Sequence, residues 1–462
     1  GIVARKPGDV VPLSFSQERM WFIDRLEGTV QYHVPTILKL EGKLNIQTLT
    51  ATIRNIIERH EVLRSTIVET EAGPVIRILP ASGWDLNVLD GVEFENNEAG
   101  LKKFIHEQVM KPFILSKDYM VRASLVRFSD INHTLVVTVH HIASDGWSIG
   151  IIVKEFMTLF AAKLQGRIPQ LPKLAVQYGD YAIWQRKHIT GEYLEEKLGY
   201  WRNRLQGFSN LQLPTDFPRP VFRSINGARI SFKVSKETSE ALNKISRNNG
   251  STLFMSLFAG FNILLQRYSS QDDICVGTPV ANRTMKETEP LIGYFINTLA
   301  LRTDLSGNPS FNQLVQKVKE NTLEAFGNQE VPFEKVVEAV VKERDLNRNP
   351  IYQVLFTMQN TPKIPELVLN DIKVTTGEAE HETSQIDMIC NVAETEDGLL
   401  GSVEYCTDLF KASTVERMMA HYTAILDAIA ATPTAQISDL GMLATAEEHR
   451  LLVEFNQYTD DP

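Results

Sequence analysis

The chain is poor in cysteine, has no long apolar run and has no concentrated positive charge, and each lack excludes something. Only Cys275, Cys390 and Cys406 occur in 462 residues. They are far apart and odd in number, so no disulfide framework is implied and a reducing cytoplasm is the expected setting. The longest mostly apolar runs, such as 135–139, are strand-length, well short of the roughly 20 residues a membrane helix needs. Lys and Arg number 47 against 57 Asp and Glu, a net charge of −10. No Lys/Arg-dense stretch supplies the basic footprint of a nucleic-acid binder. A P-loop and a G-x-G-x-x-G are both missing, which removes support for a nucleotide cofactor. H-E-x-x-H and C-x-x-C are missing as well, so no metal site is expected. The start, Gly1-Ile2-Val3-Ala4-Arg5-Lys6-Pro7, lacks Met and an apolar leader. A piece excised from a longer protein is therefore expected.

What is present is an ordinary globular mix, 43% apolar and 23% charged. The length exceeds what one core supports, so two core-bearing units are expected. Both halves mix strands with long helices, an α/β chain. Helices are predicted over 14–26, 44–60, 147–164 and 177–205, with strands over 33–40, 121–128 and 134–141. Pro214, Pro218 and Pro220 mark a linker within 211–229. The second half reads as strand 230–234, helices 236–247 and 252–268, and strand 273–279. Later strands are expected near 351–359, 367–374, 385–392 and 399–405, then a helix over 412–429. The resulting division is a first lobe at 1–178, an inter-lobe helix and linker at 179–226, a second lobe at 227–445 and the start of a linker at 446–462.

The densest chemistry is Val139-His140-His141-Ile142-Ala143-Ser144-Asp145-Gly146-Trp147-Ser148. Two adjacent His close a strand, and a short loop carries Asp and Gly into a helix. Strand side chains alternate, so His141 is expected to continue the face of Leu135, Val137 and Val139, and His140 to point the other way. One face is expected to cover a core and the other to meet a cleft, so at most one imidazole is reactive. Asp145 sits where the helix dipole favours a carboxylate. The Gly146 N–H lies at a helix N-terminus, ready to donate to developing negative charge. The bland alternative is a structural His pair beside an ordinary Asp-Gly cap. Gly146-Trp147-Ser148-Ile149-Gly150 also matches the G-x-S-x-G nucleophile elbow, but Ser148 falls in the first turn of the helix, too far from the strand end for that role.

These residues resemble the condensation domains of non-ribosomal peptide synthetases, whose H-H-x-x-x-D-G hallmark is met by His140, His141, Asp145 and Gly146. Further motifs of that family are similar to stretches here in the same order: 13–22, 59–65, 178–185, 292–302, 328–334 and 344–350. The stretch at 328–334 departs from the usual pattern, with Asn328 for His and Glu330 for Asp. The resemblance implies two chloramphenicol-acetyltransferase-like lobes in a V-shaped pseudo-dimer with an active-site tunnel between them. It implies amide-bond formation between an upstream acyl thioester and the α-amine of a downstream aminoacyl thioester. Both would be held on phosphopantetheine arms of upstream and downstream peptidyl carrier proteins, with an adenylation domain adjacent and no cofactor bound intrinsically. No nucleic acid or membrane partner is expected, and the excised domain is expected to be monomeric.

By the same resemblance His141 takes the reactive role, and the Gly146 N–H at the helix N-terminus is expected to help the oxyanion. His140 is structural, and Asp145 is structural and paired with Arg64. For Arg64 the bland alternative is a helix-end surface cation. His60 and Glu61 are expected to be helix-terminal polar filler. Trp147 and Ser148 are candidates to line the tunnel, with packing the alternative for Trp147. Asn297 is a tunnel or bridge candidate, with a satisfied strand amide as its alternative. The Gly-Trp-Ser order resembles the condensation type rather than an epimerisation domain, and the 178–220 segment resembles acceptors of an L-configured donor. The alternatives carried are a stand-alone acyltransferase using coenzyme A and a non-catalytic recruitment domain of the same fold.

Overall fold

The computed structural model describes residues 1–358, 366–377 and 382–442. They fall into two compact units. The first takes 1–195, 281–297 and 366–377, and the second takes 196–280, 298–358 and 382–442. The division is discontinuous, unlike the contiguous lobes expected from the sequence. The stretch expected as a linker at 446–462 lies outside the described residues.

The first unit is built on a six-stranded mixed sheet. Its strand order is Leu367–Leu369, Ile372–Thr376, His33–Glu41, Asn132–His140, Val121–Ser129, Asn87–Asp90. Neighbours run antiparallel except the last pair, which is parallel. The stretch 367–374, expected as one strand, is a hairpin. Asn370 and Asp371 both take positive φ (49° and 73°), the conformation of a two-residue primed turn. A smaller antiparallel sheet joins Val11–Pro12, Gly73–Ile78 and Ser65–Thr70.

Helix Phe15–Glu27 starts on a capping box in which Ser14 and Gln17 each satisfy the other's backbone N–H. Helix Ile46–Arg59 turns Leu49, Ile53, Ile56 and Ile57 inward. These residues pack with Leu38, Leu40, Leu125, Leu135 and Val139 of the sheet and with Leu159 and Phe160 of helix Gly146–Leu164. Helix Glu98–Met110 covers the opposite face, where Ile105 and Val109 meet Ile37 and Val136. Both faces of the Asn132–His140 strand are therefore covered by helices, and the Leu135, Val137 and Val139 face borders an apolar cavity beneath them rather than the cleft expected. The predicted helix 177–205 is two helices, Tyr178–His188 and Gly191–Leu205. The break falls at Gly191, whose φ of +58° is left-handed.

The second unit holds its own six-stranded sheet, ordered Asn297–Asp304, Asp273–Val280, Val354–Thr357, Met388–Thr395, Gly398–Cys406, Gly227–Ser235. Helix Leu253–Ser269 is buried almost all round through Leu265, as its largely apolar sequence dictates. Its Phe258 and Phe261 pack with Phe356 and Tyr422. Cys275, Cys390 and Cys406 are buried free thiols in this unit. Burial raises the pKa of all three, Cys275 to about 12, which disfavours the reactive thiolate. No described helix is long and apolar enough to cross a membrane.

Candidate active site

The Asn132–His140 strand ends at His140, and residues His141–Ala143 form a single 3-10 turn. Asp145 then caps helix Gly146–Leu164 by accepting the Ser148 N–H at 2.9 Å. The strand stops one residue earlier than expected, so the turn, not strand alternation, sets the direction of His141.

His140 is fully buried. Its Nδ1 accepts the Ile142 N–H at 3.0 Å, and its Nε2 lies 2.7 Å from Thr29 Oγ1. Burial, helped by His33, His141 and Arg122, pushes its pKa well below the ordinary histidine value. His141 is half-buried. Its ring meets Tyr294 edge-on at 4.7 Å and lies 6.3 Å from Tyr32. Nδ1 is buried without a hydrogen-bond partner. Desolvation lowers the pKa of His141, with its own carbonyl and the Asp145 carboxylate pulling weakly the other way. The imidazole is thus neutral at pH 7 and committed to no other side chain among the described residues.

Asp145 lies in a closed polar network. Its Oδ1 accepts from Ser148 N and Oγ and from Arg283 Nη2 at 3.1 Å, and its Oδ2 accepts the Phe295 N–H at 3.1 Å. The partner expected for Asp145 was Arg64, and this is corrected. Arg64 donates instead to the carbonyls of Ile57, Glu58 and Leu79. Ile57 and Glu58 are in the last turn of helix Ile46–Arg59, whose final carbonyls have no helical donors. Arg64 is a C-terminal cap for that helix. Arg283 fills the vacated role, with side-chain exposure of 2% for both it and Asp145. Its Nη1 holds the Thr288 and Leu291 carbonyls, and its guanidinium lies 4.2 Å from the centre of the Phe295 ring.

Ser148 is buried, and its hydroxyl is engaged with Asp145, Arg283 and both backbone groups of Gly293. It neither lines an open surface nor acts as an elbow nucleophile. Trp147 is half-exposed and donates Nε1–H to the Glu289 carbonyl at 2.9 Å. Gly146 is exposed at the first helical position, where its N–H has no intrahelical acceptor. Asn297 is buried at the start of its strand. His60 and Glu61 are not filler. His60 Nε2 reaches both oxygens of the buried Glu155, at 2.9 and 2.8 Å, and Arg59 joins them at 2.7 Å. Glu61 pairs with Arg5 at 2.7 Å.

The segment 281–297 is fastened a second time. Tyr178 donates its hydroxyl to the Tyr294 carbonyl at 2.7 Å, so it accepts from Ser14 Oγ, also at 2.7 Å. Gly293 permits this approach, since a Cβ there would lie 2.2 Å from the Tyr178 ring. Sequence reasoning missed Arg283, Tyr32 and the positioning roles of Tyr178 and Tyr294. A buried Asp signals that a cation must exist, but not which one. Among the described residues no three His, Cys, Asp or Glu side chains are placed to hold a metal ion.

Next to His140, the His33 ring donates Nδ1–H to the Val109 carbonyl at 2.6 Å. Burial pushes its pKa down to about 4. The unfolded chain, with an ordinary histidine near 6.5, binds this proton first. Stability is therefore full above pH 6.5 and is lost as pH falls from about 6.5 toward about 4. Urea midpoints measured across that window should fall with pH, and His33→Gln should flatten the slope.

The family model described as Condensation domain matches residues 8–452. A linear gramicidin synthase polypeptide of Brevibacillus parabrevis is 42% identical over 463 residues, covering 99% of this chain. The chain spans 9% of that relative's length. Malpibaldin synthetase of Mortierella alpina is 39% identical over 453 residues, covering 97% of this chain and 8% of its own length. Among solved structures, the X-domain from teicoplanin biosynthesis superposes with a TM-score of 0.88 at 28% identity, covering 96% of this chain and 100% of that one. The first condensation domain of the calcium-dependent antibiotic synthetase, solved with a substrate analogue, shares the fold at TM-score 0.76 and 18% identity, covering 95% and 100%.

Proposed function

This chain belongs to the condensation-domain family, and from that membership we propose that it forms an amide bond between two thioester-held substrates in a peptide synthetase. The α-amine of a downstream aminoacyl thioester attacks the carbonyl of an upstream acyl or peptidyl thioester. A C–N bond forms, the C–S bond breaks, and the proton lost by nitrogen passes to the departing thiolate. The substrates are carried on phosphopantetheine arms of two peptidyl carrier proteins, with an adenylation domain as neighbour in a cytoplasmic assembly. The donor is of the L-configured type.

The observation that carries this reading is the uncommitted, neutral imidazole of His141, a short loop away from an exposed helix N-terminus. An amine with a pKa near ~8 needs little activation, so positioning supplies much of the rate. His141 hydrogen-bonds the attacking amine and steadies the charge that develops on nitrogen. Gly146 N–H faces the carbonyl oxygen as it gains negative charge. His140, Asp145, Arg283 and Ser148 hold these two groups in place and touch no substrate.

The test supplies the purified protein with an acyl-loaded upstream carrier and an aminoacyl-loaded downstream carrier. Intact-mass measurement should find the elongated product on the downstream carrier. Acyl-coenzyme A in place of the upstream carrier should give none. Equal use of acyl-coenzyme A would make this a stand-alone acyltransferase, and no product from either donor would sink the catalytic reading.

A further inference from the structure

His140 makes two hydrogen bonds of opposite kind, and together they fix its tautomer. The Ile142 N–H can only donate, so His140 Nδ1 must accept it and carry no proton. The neutral ring then carries its proton on Nε2, which donates to Thr29 Oγ1 at 2.7 Å. Thr29 spends its own hydroxyl proton on Asp24 Oδ1, also at 2.7 Å. The order is forced along the whole chain: His140 Nε2–H to Thr29 Oγ1–H to the Asp24 carboxylate. Thr29 is buried, with 4% exposure, so water does not readily replace it.

The bond at the other end of the ring shapes the site. Ile142 lies in the 3-10 turn His141–Ala143, and its N–H is tied to His140 Nδ1. If the imidazole proton moved to Nδ1, two donors would face each other and the turn carrying His141 would have to shift. Thr29 also anchors a second wall. Its carbonyl accepts the Tyr32 N–H at 2.9 Å, and Tyr32 stands 6.3 Å from the His141 ring.

We propose that Thr29 is a positioning residue for amide formation: it accepts the Nε2–H of His140 in a relay ending on Asp24 and so locks the ring whose Nδ1 holds the turn that presents His141. The kinetic consequence rests on the amide-forming reading above, whereas the ring lock stands apart from it. Thr29→Val keeps the shape and removes both hydrogen-bonding functions. Thr29→Ser keeps both.

The experiment uses the whole chain with ¹⁵N-labelled histidine, together with turnover at saturating loaded carriers. In the unsubstituted protein His140 should show the Nε2–H pattern of imidazole nitrogen shifts. In T29V the Nε2 shift should move as its N–H loses its acceptor, and kcat should fall roughly 10- to 100-fold with KM for both carriers within about 3-fold. T29S should restore the shifts and bring kcat within about 3-fold of the parent. An Nε2 shift that stays the same in T29V overturns the lock. A moved Nε2 shift with unchanged kcat overturns the positioning role. Should the parent itself form no amide, the reading above fails, and the shift comparison still decides the lock.

Discussion

Alanine at position 141 should lower amide formation from two loaded carriers by about 10²–10⁴-fold while leaving the protein folded. The asymmetry follows from the geometry. His141 is half-buried and makes no hydrogen bond to another side chain among the described residues, so little structure depends on it. Its neighbours are the rings of Tyr294 and Tyr32, and losing the edge-on contact costs on the order of 1 kcal/mol. Denaturation midpoints of the two proteins should therefore nearly coincide. The pH profile gives a second check. Desolvation lowers the pKa of His141, so any acid limb it contributes lies below pH ~6.5, under the titration of the amine. Turnover of H141A at the parent's rate would remove this imidazole from the reaction.

Asp145→Ala should act in the reverse order, on stability first. Asp145 and Arg283 are each only 2% exposed, and cutting one from a buried pair leaves the other charge uncompensated. The expected loss is about 3–5 kcal/mol. For a unit of about 200 residues that lowers Tm by roughly 6–20 °C. Arg283→Leu should cost a similar amount. The double substitution should cost much less than the sum, because each single change already forfeits the pair. Arg64→Ala tests the corrected pairing. It loses helix-end hydrogen bonds and should show additive behaviour with Asp145→Ala. A stable but inactive D145A protein would place the carboxylate in the chemistry itself.

Much of this site is written locally in the chain. The hallmark loop, its cap on Asp145 and the capping box at Ser14 are all readable, because each spans a few residues and obeys backbone rules. The element series of the first half was legible for the same reason, as apolar spacing marks helix Ile46–Arg59 and the Asn132–His140 strand. Helix Phe311–Phe326 is missing from the expectations although its Ser310 and Gln313 capping box is plain. The hairpin at Asn370 and Asp371 was hidden by its shortness, three and five residues a side. The salt bridge was not legible at all. Asp145 and Arg283 are 138 positions apart, and nothing local distinguishes Arg283 from Arg64. Strand alternation misled at His141 because one residue of strand was replaced by a turn.

The discontinuity of the first unit has a consequence for how the protein is made. Asp145 leaves the ribosome 138 residues ahead of Arg283. At about 5–20 residues per second, that is a wait of roughly 7–28 s. The strand Ile372–Thr376, which borders His33–Glu41, is translated later still. Throughout that interval the hallmark loop exists with its carboxylate unpaired. The histidine pair thus belongs to a unit whose early stretch waits on partners translated well after it.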